Sequence, residues 1–114
     1  MIKVSVLYPN TTGSHFDMDY YCNQHMPMVK DKLGNACKGI AVDQGIGNDA
    51  PYAAVCHLFF ETVEAFQAAF GPHDAAIMAD IPNYTNVQPV VQISTVLINA
   101  SRSNTGELHL HRAD

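Results

Sequence analysis

The hydrophobic period of this chain switches between two and 3.6 along its length, and the order of the switches limits the folds open to it. Ile2 to Tyr8 alternates Ile2, Val4, Val6 and Tyr8 against Lys3, Ser5 and Leu7, the pattern of a strand with one strongly apolar face. Pro9 to Gly13 ends that strand. A helix is expected from Phe16 or Asp17, where acidic residues complement the positive helix end, to about Cys37, with Tyr20, Tyr21, Met28, Val29 and Leu33 on its buried stripe. Ile40 to Ile46 and Tyr52 to Phe60 read as a hairpin around the turn residues Gly47 to Pro51. Thr62 offers an N-cap to a second helix carrying Phe66, Phe70, Ile77, Met78 and Ile81, which Gly71-Pro72 breaks in two. Pro82 to Asn86 closes it, and Val87 to Ile98 reads as the last and longest strand.

The order βαββαβ predicts an α+β, ferredoxin-like domain: a four-stranded antiparallel sheet with both helices on one face. The other face would carry Leu7, Val55, Phe59 and Val90 or Val91, too apolar for a solvated surface. A second copy packed against it would bury both sheets, so a homodimeric α/β barrel is expected. Residues 1–98 form the domain, and 99–114 read as a C-terminal extension, with Leu108-His109-Leu110 a candidate for pairing.

The net charge of −5 and the scatter of Lys3, Lys30, Lys32, Lys38, Arg102 and Arg112 argue against a nucleic-acid partner. Cys22, Cys37 and Cys56 are odd in number and far apart, which fits reduced thiols and a cytoplasmic protein. No apolar run approaches the ~20 residues of a membrane span. The chain enters its first strand directly, so no cleaved signal is expected. Phosphate-loop and haem-attachment motifs are missing, and no cofactor or metal is expected; His109 and His111 form an H-x-H that lacks a third ligand nearby.

The segment Phe16 to Val29, FDMDYYCNQHMPMV, concentrates aromatics, an ionisable His and a Pro, and is where chemistry is expected. Together with KVSVLYPN near the start, VEAFQAAFGPH at Val63 to His73 and NYT-x-x-QPV-x-QIS at Asn83 to Ser94, it resembles the EthD family, named for ethyl tert-butyl ether degradation, within the dimeric α/β-barrel group. The resemblance runs from Met1 to about Ile98. It implies a pocket between sheet and helices, lined by the Phe16 to Met28 face and taking a small, largely apolar organic ligand. Its relatives by fold include monooxygenases, isomerases, cyclases and decarboxylases, and its namesakes accompany a cytochrome P450 oxygenase system. Three readings stay open: a cofactor-independent acid/base enzyme, a non-catalytic accessory or product-binding protein, or a cofactor-free oxygenase acting on an electron-rich substrate.

His25 is the candidate acid/base, since imidazole exchanges protons near neutral pH. The alternative is a structural histidine bonded to a backbone carbonyl opened by a kink at Pro27. Tyr21, four residues earlier, shares its helix face and is the candidate polar aide, with core packing as the alternative for both Tyr20 and Tyr21. Phe16, Asp17, Tyr20, Met28, His73, Tyr84 and Gln92 complete the expected ligand-contacting set, although capping, turn and sheet-edge roles explain His73, Tyr84 and Gln92 as readily. His57, on the face assigned to the dimer, is expected to make an interfacial hydrogen bond.

Overall fold

The computed structural model describes residues 1–102 and 108–112, with side chains as far as Ala100. The alternating strands assemble into one antiparallel sheet of β1 (Ile2–Pro9), β2 (Gly39–Gln44), β3 (Tyr52–Phe60) and β4 (Val90–Thr95), in the order β2-β3-β1-β4. Helix α1 (residues 18–33) joins β1 to β2, while α2 (Val63–Phe70) and α3 (Asp74–Ala79) join β3 to β4. This is the ferredoxin-like α+β arrangement expected from the element order.

Register follows the pleat. Val4, Val6 and Tyr8 face the helices opposite Leu58, Cys56 and Ala54 of β3, and Val4 and Val6 meet Ile93 and Val91 of β4. The core lies between this face and the buried Tyr21, Met26, Val29 and Leu33 of α1 and Ile77 of α3. Fully burying a side chain of the Val, Leu, Ile, Phe or Met type contributes about 1.5–3 kcal/mol, so this layer fixes the fold. The opposite face carries Leu7, Val55 and Phe59, and pairing of Leu7 with Val90 assigns Val90 to it and Val91 to the helix side.

Helix α1 combines an α-turn (Met18–Tyr20), a π-turn (Tyr21–His25) and a regular α-helix (Met26–Leu33). Asp17 caps it, its side chain accepting from the Tyr20 amide at 3.0 Å. The π-turn replaces the simple kink expected at Pro27: Met26 N–H reaches back to Tyr21 O, and the widened turn makes room for a proline ring that brings no N–H. The helix is shorter than expected, ending at Gly34, whose φ of 61° leaves the helical region, before a 3-10 turn (Gly34–Ala36).

Thr62 caps α2 by accepting from the Ala65 amide at 3.0 Å, and Pro72 opens the 3-10 turn Gly71–His73 that separates α2 from α3. The β2–β3 connection is tight at Gly45, where a Cβ would collide with the Tyr52 carbonyl oxygen. Strand β4 is also shorter than the expected run from Val87 to Ile98. Pro89 precedes it without an N–H, and pairing stops at Thr95 because its partner Ile2 is the first residue of β1. Ile98 belongs instead to β5 (Ile98–Arg102), which pairs with β6 (Leu108–Arg112) as a separate two-stranded sheet. The side chains of His109 and His111 lie outside the described residues.

Candidate active site

Two loops are stitched together beneath the first turn of α1. Asp17 N–H donates to Tyr84 O at 2.8 Å, Thr85 Oγ1 donates to His15 O at 2.6 Å, and Asn86 bonds both His15 and Gly13. These bonds press Tyr84 into the core, where it is 1% exposed. Phe16 closes the cluster from behind, its ring 4.9–5.3 Å from those of Tyr8, Tyr21 and Tyr84. His25 is held among these rings: Tyr21 stacks on it at 5.2 Å and 15°, and Tyr84 tilts against it at 4.7 Å.

Nδ1 of His25 lies 2.9 Å from Oδ2 of Asp80, at the end of α3. A carboxylate only accepts, so the bond places the proton of the neutral ring on Nδ1 and leaves the Nε2 lone pair free. Asp80 is itself fixed: its Oδ1 accepts from the Tyr20 hydroxyl at 2.7 Å and from Asn83 Nδ2 at 2.9 Å. Burial lowers the His25 pKa and outweighs the opposing pull of Asp80, so the ring is a neutral base at physiological pH. Burial alone would raise the Asp80 carboxyl, but the bonds from Asn83, His25 and Tyr20 prevail and the net shift is downward. The pair is therefore a neutral imidazole oriented by an ionised carboxylate.

His25 borders a cavity of about 270 Å³. Val4, Val6, Leu58, Phe66, Phe70 and Ile77 supply apolar walls, while Tyr8, Tyr21, Tyr84, Cys56 and Asp74 add the other polar groups. Burial raises the pKa of the Tyr8, Tyr21 and Tyr84 phenols, and that of the Cys56 thiol to about 11, so all four stay protonated at neutral pH. A wider trough of about 1050 Å³ runs between α1 and β2, but it is more open to solvent and rimmed by Lys30, Asp31 and Lys38. Only the smaller cavity is both apolar and joined to an oriented base, the combination that makes a site.

Of the residues expected from the sequence, His25, Tyr21 and Tyr84 line the cavity. Phe16 and Tyr20 stand behind it, one packing the aromatic wall and the other bonding Asp80. Asp17 is the helix cap, Met28 packs against the core, and His73 sits half-buried in the 3-10 turn before α3. None of these three lines the cavity, and neither does Gln92, which is opposite Ser5 on the far face and bonds Ser94. Asp80, Tyr8, Cys56, Phe66 and Phe70 were not singled out as site residues by sequence reasoning. Asp80 lies 55 positions from His25, and only the fold joins them. Tyr8 could have been found from parity, as the last inward residue of β1.

A model of the EthD domain matches residues 10–88. An EthD-like protein from Ralstonia eutropha JMP134 is 46% identical, with 84% of this chain and 91% of that one covered at a TM-score of 0.78. An ethyl tert-butyl ether degradation (EthD) family protein from Bacillus halodurans C-125 matches at 18% identity, with 79% and 96% covered and a TM-score of 0.54. HapK from Hahella chejuensis matches at 14% identity, with 81% and 90% covered and a TM-score of 0.50, a likeness of fold. No curated protein gives a significant match.

Proposed function

The chain belongs to the EthD family, and on that premise we propose that it binds a small, largely apolar organic molecule in the cavity and moves a proton on it, with His25 as the acid/base. The observation that carries this reading is the division of labour on one ring. Nδ1 is committed to Asp80, whereas Nε2 has no partner among the described residues and the ring borders the cavity. Neutral imidazole takes a proton from the ligand, and the imidazolium, balanced by Asp80, returns it. Tyr21 supports the ring by stacking on it. Nothing in this scheme calls for a bound cofactor.

Two copies would pair through the open sheet face, a reading supported by Leu7, Val55, Phe59 and the 53% exposed Val90 lying together on it. Three free cysteines support a reducing compartment such as the cytoplasm.

Incorporation of solvent deuterium at the α-carbons of 2-tetralone, followed by NMR, tests the acid/base step. The wild type should accelerate exchange, and His25→Ala should lower the rate by about 10²–10⁴-fold with the fold retained. Binding of the ketone without exchange would instead mark a carrier, as an accessory protein to an oxygenase would be.

A further inference from the structure

The polar groups of the cavity have a sign, and the sign selects a ligand. Among the described residues no Lys or Arg lines it; the carboxylate of Asp74 is on its border, and that of Asp80 is bound to His25. An organic anion entering there would leave water without meeting a cation, which disfavours carboxylates and phosphates. What the cavity does offer is a pair of neutral hydroxyls. Those of Tyr8 and Tyr84 lie 2.7 Å apart, and both residues are 1–2% exposed. Two hydroxyls hold two protons, and the bond between them uses one. The second proton belongs to whichever hydroxyl accepts from the other, and its donor strength is increased by that bond. Both residues border the same cavity as His25, and the Tyr84 ring centre is 4.7 Å from that of the imidazole.

Resting on the acid/base reading of His25, we propose that the natural ligand is a neutral carbonyl compound with an enolisable C–H, and that the Tyr8–Tyr84 hydroxyl pair binds its oxygen. The step balances within the site. The α C–H bond breaks, its proton forms an N–H bond on Nε2 of His25, and the C–H electron pair becomes the enolate whose oxygen accepts the spare phenolic proton as a hydrogen bond. Reprotonation from Nε2, at the same or a conjugated carbon, restores the neutral ring. The net charge of the complex stays constant throughout, which suits a cavity whose described lining offers no cation to an anionic substrate. A volume of about 270 Å³ lies just under the ~300–1,000 Å³ of drug-sized sites, so the ligand is a one- or two-ring molecule.

Calorimetric titration of the full chain with 2-naphthol, naphthalene and 2-naphthoate at neutral pH separates oxygen recognition from shape and charge. The wild type should bind 2-naphthol about tenfold or more tighter than 2-naphthoate, because the carboxylate has no compensating partner. Tyr8→Phe and Tyr84→Phe should each weaken 2-naphthol by about 5–15-fold, the worth of one hydrogen bond, and leave naphthalene unchanged as a control that the cavity is intact. Equal binding of naphthol and naphthoate overturns the proposal, as does a naphthol-to-naphthalene ratio that neither variant moves, or failure of all three probes to bind the wild type. Exchange into 2-tetralone that depends on His25, without the naphthol preference, would sink the ligand class and keep the acid/base reading. The preference without exchange would do the reverse.

Discussion

Two histidine–aspartate pairs lie on opposite sides of one sheet. On the helix side His25 meets Asp80 at 2.9 Å, with side chains 4% and 17% exposed; on the open side His57 meets Asp43 at 3.1 Å, with 22% and 62% exposed. The chemistry of the partners is the same, and two things differ. His57 commits both ring nitrogens, Nε2 to Asp43 and Nδ1 to Ser5 at 3.1 Å, so it has none left for a ligand. His25 commits one, and its ring borders the cavity. An exposed pair also gains little, because water competes for both partners and salt screens them. A carboxylate beside a histidine thus marks a site only when the ring keeps a free nitrogen and water is kept out.

The sharpest way to break this contrast is to remove each ring in turn. His25→Ala carries the expected loss of about 10²–10⁴-fold in proton exchange, whereas His57→Ala should leave the exchange rate within about twofold of wild type. A catalytic defect in the His57 variant with the fold and assembly intact would show that the open face takes part in the chemistry.

The open face is tested by charge. Val55→Asp places a carboxylate among Leu7, Phe59 and Val90, and leaving a charge buried without a partner in a dimer interface costs about 3–5 kcal/mol. Sedimentation should then show a dimeric wild type at micromolar concentration and a monomeric variant. A monomeric wild type would remove the barrel and leave this face, with its Asp43–His57–Ser5 row, in water.

Asp80 sharpens the contrast from the helix side, because its role is to position a base. Asp80→Asn should lower exchange by about 10–100-fold, less than loss of the ring, since an amide holds the tautomer poorly. The pH profile separates this from general damage. Burial already places the His25 pKa below 6.5, so the wild-type rate falls only below that pH, as the base becomes protonated. Asp80 opposes the lowering, so the Asn variant should move the acid limb to still lower pH. An acid limb that does not move would show that the carboxylate is not coupled to the base.

The same shift reaches stability. Because folding lowers the His25 pKa, the unfolded chain binds its proton first as pH falls below 6.5, and stability declines from there toward the depressed folded value. Asp80, also lowered from 3.8, keeps its contribution above that pH and loses it only in stronger acid. His25→Gln retains a donor to Asp80 but does not titrate. Melting temperature against pH should therefore lose its decline just below 6.5 in this variant.

Much of the fold is written in local patterns. The alternation of Ile2 to Tyr8 fixed which face of β1 is buried, and Thr62 and Pro72 marked the starts of α2 and of the turn after it. The site was half legible for the same reason. His25 and Tyr21 share one helix, so their stacking follows from a four-residue offset. Asp80 comes from the far end of another helix and Tyr8 from a strand, and their approach depends on how the layers pack. The π-turn was hidden too, since Pro27 signals a disturbed helix without saying whether it bends or widens. The end of β4 at Thr95 depended on the length of its neighbour β1, which the apolar run to Ile98 does not record.

The smallest effect is expected from the C-terminal extension. Among the described residues β5 pairs with β6 and with no strand of the main sheet, so neither the His25 cavity nor the open face draws a backbone ladder from it there. Deleting residues 101–114 removes β6 and leaves the four strands, the helical layer and the two His–Asp pairs in place. The truncated chain should therefore keep its secondary structure by circular dichroism, its oligomeric state and its exchange activity, with a stability change of about 1 kcal/mol or less. Loss of the dimer alone would mean that the extension belongs to the subunit interface, and the open sheet face would no longer suffice to hold two copies together. Loss of exchange with the dimer intact would place the extension over the cavity, so that the water exclusion on which the His25 reading depends would come partly from residues beyond the four-stranded domain.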